Sequence, residues 1–187
     1  MDRGGGGIKL PALTNFNGTL CTYFDGNSRL KLKTTDLLKP LTEWTMCANI
    51  YPTGVIGSYY GSQIFSNIDA GSSSSDVNLI LLSGTTGKFC GTKFEFPYSI
   101  FKAWHRVKIT SDGTTIYLYL DGMEIKNIPR GSIGFNQTGF SVGGANGHAD
   151  YDANFYGYMM NFKLTDEYNA GDKFIYINKN NEAWAMV

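Results

Sequence analysis

Residues 104–122 read WHRVKITSDGTTIYLYLDG, and this stretch decides the fold. In its second half Ile116, Leu118 and Leu120 share one parity, while Tyr117 and Tyr119 share the other. Side chains of a β-strand point alternately to its two faces, so this segment has an apolar face and a tyrosine face. Asp112-Gly113 lies between this run and HRVKIT. Asp bonds nearby amides and Gly accepts positive φ, which is the turn chemistry of an antiparallel hairpin. A second Asp-Gly pair, Asp121-Gly122, closes the return strand.

The same strand-turn-strand grammar extends in both directions. Upstream, LCTYF (20–24) meets the turn Asp25-Gly26-Asn27, and SRLKLK (28–33) puts Leu30 and Leu32 on one face. TTDLLKPL (34–41) reads as a connection, and EWTMCANIYP (43–52) as a strand closed by Pro52 and Gly54. VIGSYYG (55–61) and SQIFSNI (62–68) read as a hairpin, Gly71 to Ser75 as a loop, and VNLILLS (77–83) and KFCGTKFEF (88–96) as strands around GTTG. Downstream come GFSVGG (139–144), NFYGYMMNFKL (154–164) and a last hairpin of KFIYIN (173–178) and AWAMV (183–187). No segment holds helical periodicity for three turns. Short strands at this spacing, with Gly, Asp and Asn at the turns, predict an all-β, two-sheet antiparallel β-sandwich. Residues 1–18, with Gly4 to Gly7 in a row, read as an irregular Gly-rich N-terminal arm, and residues 19–187 as the sandwich.

Composition narrows the function. Lys plus Arg equals Asp plus Glu at 16 each, so the chain lacks the cation surplus that nucleic acid binding requires. No apolar run approaches the roughly 18 residues of a membrane span. The start, MDRGGGGIKL, lacks the apolar segment of a secretory signal. Cys21, Cys47 and Cys90 form no CxxC pair and have no neighbouring His, so they read as small buried thiols rather than zinc ligands or a disulfide framework.

Three segments, in order, resemble the laminin-G-like (LamG) branch of the concanavalin-A-like lectin and glucanase superfamily. TYFDGNSRLKL with EWTMCANIYP is similar to its opening hairpin and following strand. WHRVKITSDGTTIYLYLDGMEI is similar to its central Trp-His-x-Val and Tyr-x-Asp-Gly signature. GFSVGGAN with FYGYMMNFKLTDEYNA is similar to its ending. The resemblance covers roughly residues 19 to 170 and implies a jelly roll with a role in glycan binding, adhesion or structural assembly. Trp104 reads as a packed aromatic and His105 as a hydrogen-bonded residue at a strand start.

Glucanases that share this jelly roll place acids in a Glu-x-Asp-x-x-Glu pattern on one strand, and glycoside hydrolysis needs two facing carboxylates. That spacing is absent here: Glu95 stands alone between Phe94 and Phe96. No Gly-x-Ser-x-Gly elbow occurs, and two histidines leave little from which to build a triad. The chain is therefore expected not to be an enzyme, with glycoside hydrolysis as the third alternative. Asn146, Asp150, Asp152 and Asn154 offer oxygen ligands to Ca²⁺ on one loop, the cofactor the resemblance would allow. Tyr59, Tyr60, Tyr117, Tyr119, Tyr151 and Tyr156 are the candidate contacts for sugars or protein partners. The expected role is a non-catalytic docking or adhesion module that contacts other subunits of an assembly, namely a virion capsid decoration or a tail or fibre head, and contacts glycans. The alternative is a secreted or cell-surface, calcium-assisted lectin.

Overall fold

The computed structural model describes residues 10–32, 42–55, 61–66, 77–133, 140–144, 154–165, 168, 175–177 and 183–185. They form two stacked antiparallel sheets. The larger runs, edge to edge, through β1 (Ala12–Phe16), β2 (Thr19–Asp25), β13 (Tyr156–Thr165), β4 (Glu43–Pro52), β9 (His105–Asp112), β10 (Thr115–Leu120) and β11 (Met123–Pro129). The smaller runs through β3 (Leu30–Leu32), β12 (Phe140–Val142), β5 (Ser62–Ser66), β6 (Asn78–Leu81), β7 (Thr86–Phe89) and β8 (Thr92–Glu95). β14 (Ile175–Ile177) and β15 (Ala183–Ala185) pair with each other as the expected last hairpin.

Alternation decides what the larger sheet buries. In β4 the even positions Trp44, Met46, Ala48 and Ile50 point into the core and are at most 1% exposed. Val107 and Ile109 of β9 and Ile116, Leu118 and Leu120 of β10 do the same. They meet Phe65, Leu79, Phe89, Phe94, Phe140 and Val142 of the smaller sheet in one cluster. Each large apolar side chain so buried contributes about 1.5–3 kcal/mol against exposure. Cys21, Cys47 and Cys90 are buried.

The turns follow the sequence chemistry. Asp112 Oδ1 accepts hydrogen bonds from the backbone N–H groups of Thr114 and Thr115 and from the Thr114 hydroxyl, each at 2.8 Å, and Tyr117 OH donates to Oδ2 at 3.0 Å. The N–H groups of Thr115 and Thr114 stabilise the ionised form first, and the carboxyl falls to about 2. Asp121 and Gly122 both adopt positive φ, 52° and 85°, as the two central residues of a type I′ turn must. Asn17 and Gly18 do likewise at 51° and 81°. They join β1 to β2, so residues 12–16 are an edge strand of the larger sheet rather than part of an irregular arm; residues 1–9 lie outside those described. The expected hairpin over 55–68 is described only at 55 and from 61 to 66, and the Gly71–Ser75 loop lies outside the described residues.

Gly143 is among the glycines whose position leaves no room for a side chain. Gly143 leaves β12 at φ +78°, and a Cβ there would sit 2.2 Å from Phe24 Cε1. Its N–H donates to the Ile64 carbonyl and its carbonyl accepts from the Phe155 N–H, both at 2.9 Å, so the backbone cannot move aside. Gly143→Ala is therefore expected to cost about 3 kcal/mol from strain and overpacking together. That is a fall of roughly 6–12 °C in calorimetric Tm; an unchanged Tm would contradict the packing described.

Candidate functional site

The residues that alternate with the core strip face outward from the larger sheet, and antiparallel register lines them up across strands. Tyr23 of β2 lies opposite Tyr158 of β13, which lies opposite Tyr51 of β4. Phe16 and Trp104 close over them. The Phe16 ring stacks on Tyr158 at 4.1 Å between centroids and meets Tyr51 at 4.9 Å, while Trp104 meets Tyr51 at 5.6 Å. Tyr23 joins Tyr158 at 5.0 Å and Tyr156 at 6.3 Å. All six rings are half-buried, each wedged by its neighbours with part of its surface open. Partial burial first, then the hydrogen bond with Tyr156, push the Tyr23 hydroxyl up to about 12, so it is neutral at physiological pH.

Beside this aromatic surface the ladder is interrupted. Met160 lies opposite Asn49 and Lys163 opposite Cys47, so β13 advances three residues where β4 advances two. The extra residue is Asn161, at φ 55°, and the strand bulges there. The bulge has two consequences. Phe162 turns inward, 5.6 Å from Phe65 and 6.0 Å from Phe140, and Lys163 turns outward. The outer surface is left with a depression of about 230 Å³ lined by Cys47, Ala48, Asn49, Arg106, Asn161 and Lys163. Asn49 and Arg106 are direct cross-strand partners, as are Cys47 and Lys108.

On the far side of the depression Lys108 lies opposite Tyr119, and its Nζ sits 4.4 Å from that ring's centroid. Cation–π attraction holds the ammonium there. Tyr119, Tyr117 and Tyr168 form a second, smaller group, with Tyr117 6.3 Å from Tyr119 and 6.4 Å from Tyr168. The outer face thus reads across as aromatic group, polar and cationic depression, tyrosine group.

His105 serves the scaffold. Its Nδ1 lies 2.7 Å from Asp121 Oδ2, which also accepts from Tyr98 OH at 2.8 Å, while Asp121 Oδ1 accepts from the Arg106 N–H at 2.7 Å. Burial alone would raise the Asp121 carboxyl, but the bonds from His105, Arg106 and Tyr98 outweigh it and hold it below its ordinary value.

Of the tyrosines singled out by sequence, Tyr117, Tyr119 and Tyr156 stand on this outer face. Tyr59, Tyr60 and Tyr151 lie outside the described residues, as do Asn146, Asp150 and Asp152 of the candidate calcium loop. Asn154 bridges to Gln63 beside Gly144, and its Oδ1 is buried without a hydrogen bond among the described residues. Phe16, Tyr23, Tyr51, Tyr158 and the cationic depression were not singled out. The parity of Tyr23 and Tyr51 against buried Phe24 and Ile50 was available as a signal; the register and the bulge were not.

No family model matches the chain, and no curated protein matches it. Solved structures do resemble it. Domain 4 of AbnA, an extracellular GH43 arabinanase from Geobacillus stearothermophilus solved with arabinotriose, superposes with a TM-score of 0.58 at 12% identity, over 83% of this chain and 75% of that one. Mouse laminin α1 domains LG4-5 give 0.54 at 13%, over 81% and 44%. The enzymatically active domain of tailspike protein 2 from bacteriophage CBA120 gives 0.52 at 12%, over 82% and 27%. At these identities the likeness shows the fold alone, the two-sheet antiparallel β-sandwich that the sequence predicted.

Asp121→Asn keeps a residue that tolerates positive φ and removes only the charge. It is expected to cost roughly 1 kcal/mol, the modest value fitting a carboxylate about one-third exposed. Because the folded carboxyl titrates below its unfolded value near 3.9, this contribution is present above that pH and is lost as pH falls through the folded midpoint. Urea melts of the two proteins should differ at pH 6 and converge toward pH 3; a difference independent of pH would show that the charge is not responsible.

Proposed function

We propose that this chain is a non-catalytic carbohydrate-binding module that docks through the outer face of its larger sheet. One observation carries the reading: Phe16, Tyr23, Tyr51, Trp104, Tyr156 and Tyr158 form one continuous, half-buried aromatic surface on that face. Core packing does not require it, since the Trp44–Ile50 strip on the opposite side fills the core. Rings held by one another lose little freedom on binding, and their apolar faces match the C–H faces of pyranose and furanose rings. Amide and guanidinium groups next to them supply the donors and acceptors that sugar hydroxyls need.

The neighbours support this reading without deciding it. One was solved with arabinotriose, and in another a comparable sandwich is part of a longer bacteriophage tailspike chain. The proposed setting is accordingly a docking part of a larger assembly, with a virion as its specific form. Among the described residues that line the depression none is a carboxylate, which supports a binding rather than a hydrolytic role.

A calcium-assisted rim site is a second reading, favoured by the orphaned Asn154 Oδ1, a neutral oxygen of the kind Ca²⁺ takes. The two readings separate by experiment. A glycan array should return oligosaccharide hits, and titration calorimetry on a hit should show Tyr51→Ala and Tyr158→Ala each weakening binding about tenfold or more, with Tm within a few degrees of wild type. EDTA should leave the affinity unchanged. Loss of binding with EDTA and full retention in both tyrosine variants would move the site to the rim.

A further inference from the structure

We propose that the open edge of β1 is a self-association surface, through which two copies of this chain pair strand to strand into a dimer. An edge strand presents N–H and C=O groups to any strand of matching shape, and folded proteins guard such edges with charged residues, prolines and bulges. Of the four edges of the two stacked sheets, as described, three are guarded in this way. β11 carries Glu124, Lys126 and Pro129, and it bulges where its ladder with β10 shifts between Leu118 and Tyr119. β8 carries Lys93 and Glu95, both exposed, and the LKL of β3 includes Lys31. β1 is different. Ala12–Phe16 holds no charge and no proline, and its register with β2 runs unbroken from Ala12 opposite Tyr23 to Phe16 opposite Thr19.

Beside this edge lie the most exposed large apolar side chains among the described residues. Leu13 is 72% exposed, Leu20 65% and Leu10 48%. Leu13 lies opposite Thr22 and Leu20 opposite Asn15, so the two leucines are diagonal neighbours on one face. That face has the parity of Phe24, which is buried in the core. The core-facing rows of the larger sheet thus run on past the core and end as an apolar strip in water. A second copy of the chain matches this strip. It offers the same uncharged ladder and the same leucines, and a chain of zero net charge carries nothing overall to repel its copy. Antiparallel pairing of the two β1 strands about a two-fold axis uses the open edge of each. The edges then left on the joined sheet are the guarded β11 strands, so assembly stops at two. A stable interface buries about 1,000 Å² or more, which calls for the leucines as well as the ladder. The axis stands perpendicular to the sheet, so both outer faces point to one side. Phe16 is itself on β1 and stacks on Tyr158, which brings the two aromatic surfaces together at the seam. The dimer stands apart from the docking reading above; its consequence, bivalent docking, rests on that reading.

Sedimentation velocity of the full chain should show a dimer at tens of micromolar that dissociates on dilution. Leu13→Lys and Leu20→Lys, both at exposed positions, should each weaken dimerisation about tenfold or more with Tm within a few degrees of wild type. Met123→Lys, on the guarded β11 edge, should leave it unchanged. On a glycan-coated surface the wild-type dimer should hold about tenfold or more tighter than monomeric Leu13→Lys, while the two bind the soluble oligosaccharide equally. A wild-type chain that is monomeric at about 0.1 mM overturns the proposal. A dimer that survives both leucine substitutions also overturns it. Equal hold of dimer and monomer on the surface overturns the side-by-side placement of the two faces. A dimer that Leu13→Lys dissolves but that binds no glycan supports the interface and overturns the docking reading alone.

Discussion

The two-sidedness of β4 is the constraint from which the rest of the molecule follows. Trp44, Met46, Ala48 and Ile50 have to be dry, and a pleated strand cannot bury them without turning Thr45, Cys47, Asn49 and Tyr51 the other way. β4 is central in the larger sheet, with β13 on one side and β9 on the other, so its register propagates. Thr45 and Thr110 illustrate how closely the outer rows are tied, sharing a 2.8 Å hydrogen bond between hydroxyls. What the outer face displays is thus set by what the core excludes.

A sheet face built this way is a stiff platform. Its rows come from separate strands, locked to one another by ladder hydrogen bonds, and the rings on it are locked again by mutual contact. Ligand surfaces of this kind lose little entropy on binding, which favours recognition of weakly held, flexible chains such as oligosaccharides. Many oriented aromatics at low net charge also describe a protein interface. The scaffold residues His105, Tyr98 and Asp121 work on the edge of this platform, fixing the turn that positions β10 against Arg106.

Much of the fold was legible in the chain because strand alternation and turn chemistry are local. Leu118 against Tyr119, or Asp112 followed by Gly113, can be read without knowing any partner strand. Two misreadings of this kind are instructive: KFCGTKFEF (88–96) reads as one strand, yet Cys90 and Gly91, at φ 45° and 78°, turn β7 (Thr86–Phe89) back into β8 (Thr92–Glu95). Asn17-Gly18 carries the same hairpin signal as Asp121-Gly122, yet the preceding glycines drew residues 12–16 into an arm, whereas pairing with β2 makes them a strand. Local propensity there was overridden by a ladder partner.

The sequence by itself determined the class: which positions are apolar, where the chain reverses, and that tyrosines would be left over once the core was full. Those depend on interactions within a few residues. Only the tertiary structure decided which leftovers meet. Tyr23, Tyr51 and Tyr158 are separated by dozens of residues and become neighbours through register, and register is set by the packing of whole strands. The single extra residue at Asn161 reverses the parity of everything after it, carrying Lys163 from the core side to the outer face. A reading of alternation along β13 alone cannot see that reversal, because its cause, the mismatch with β4, lies in a strand more than a hundred residues away in the chain.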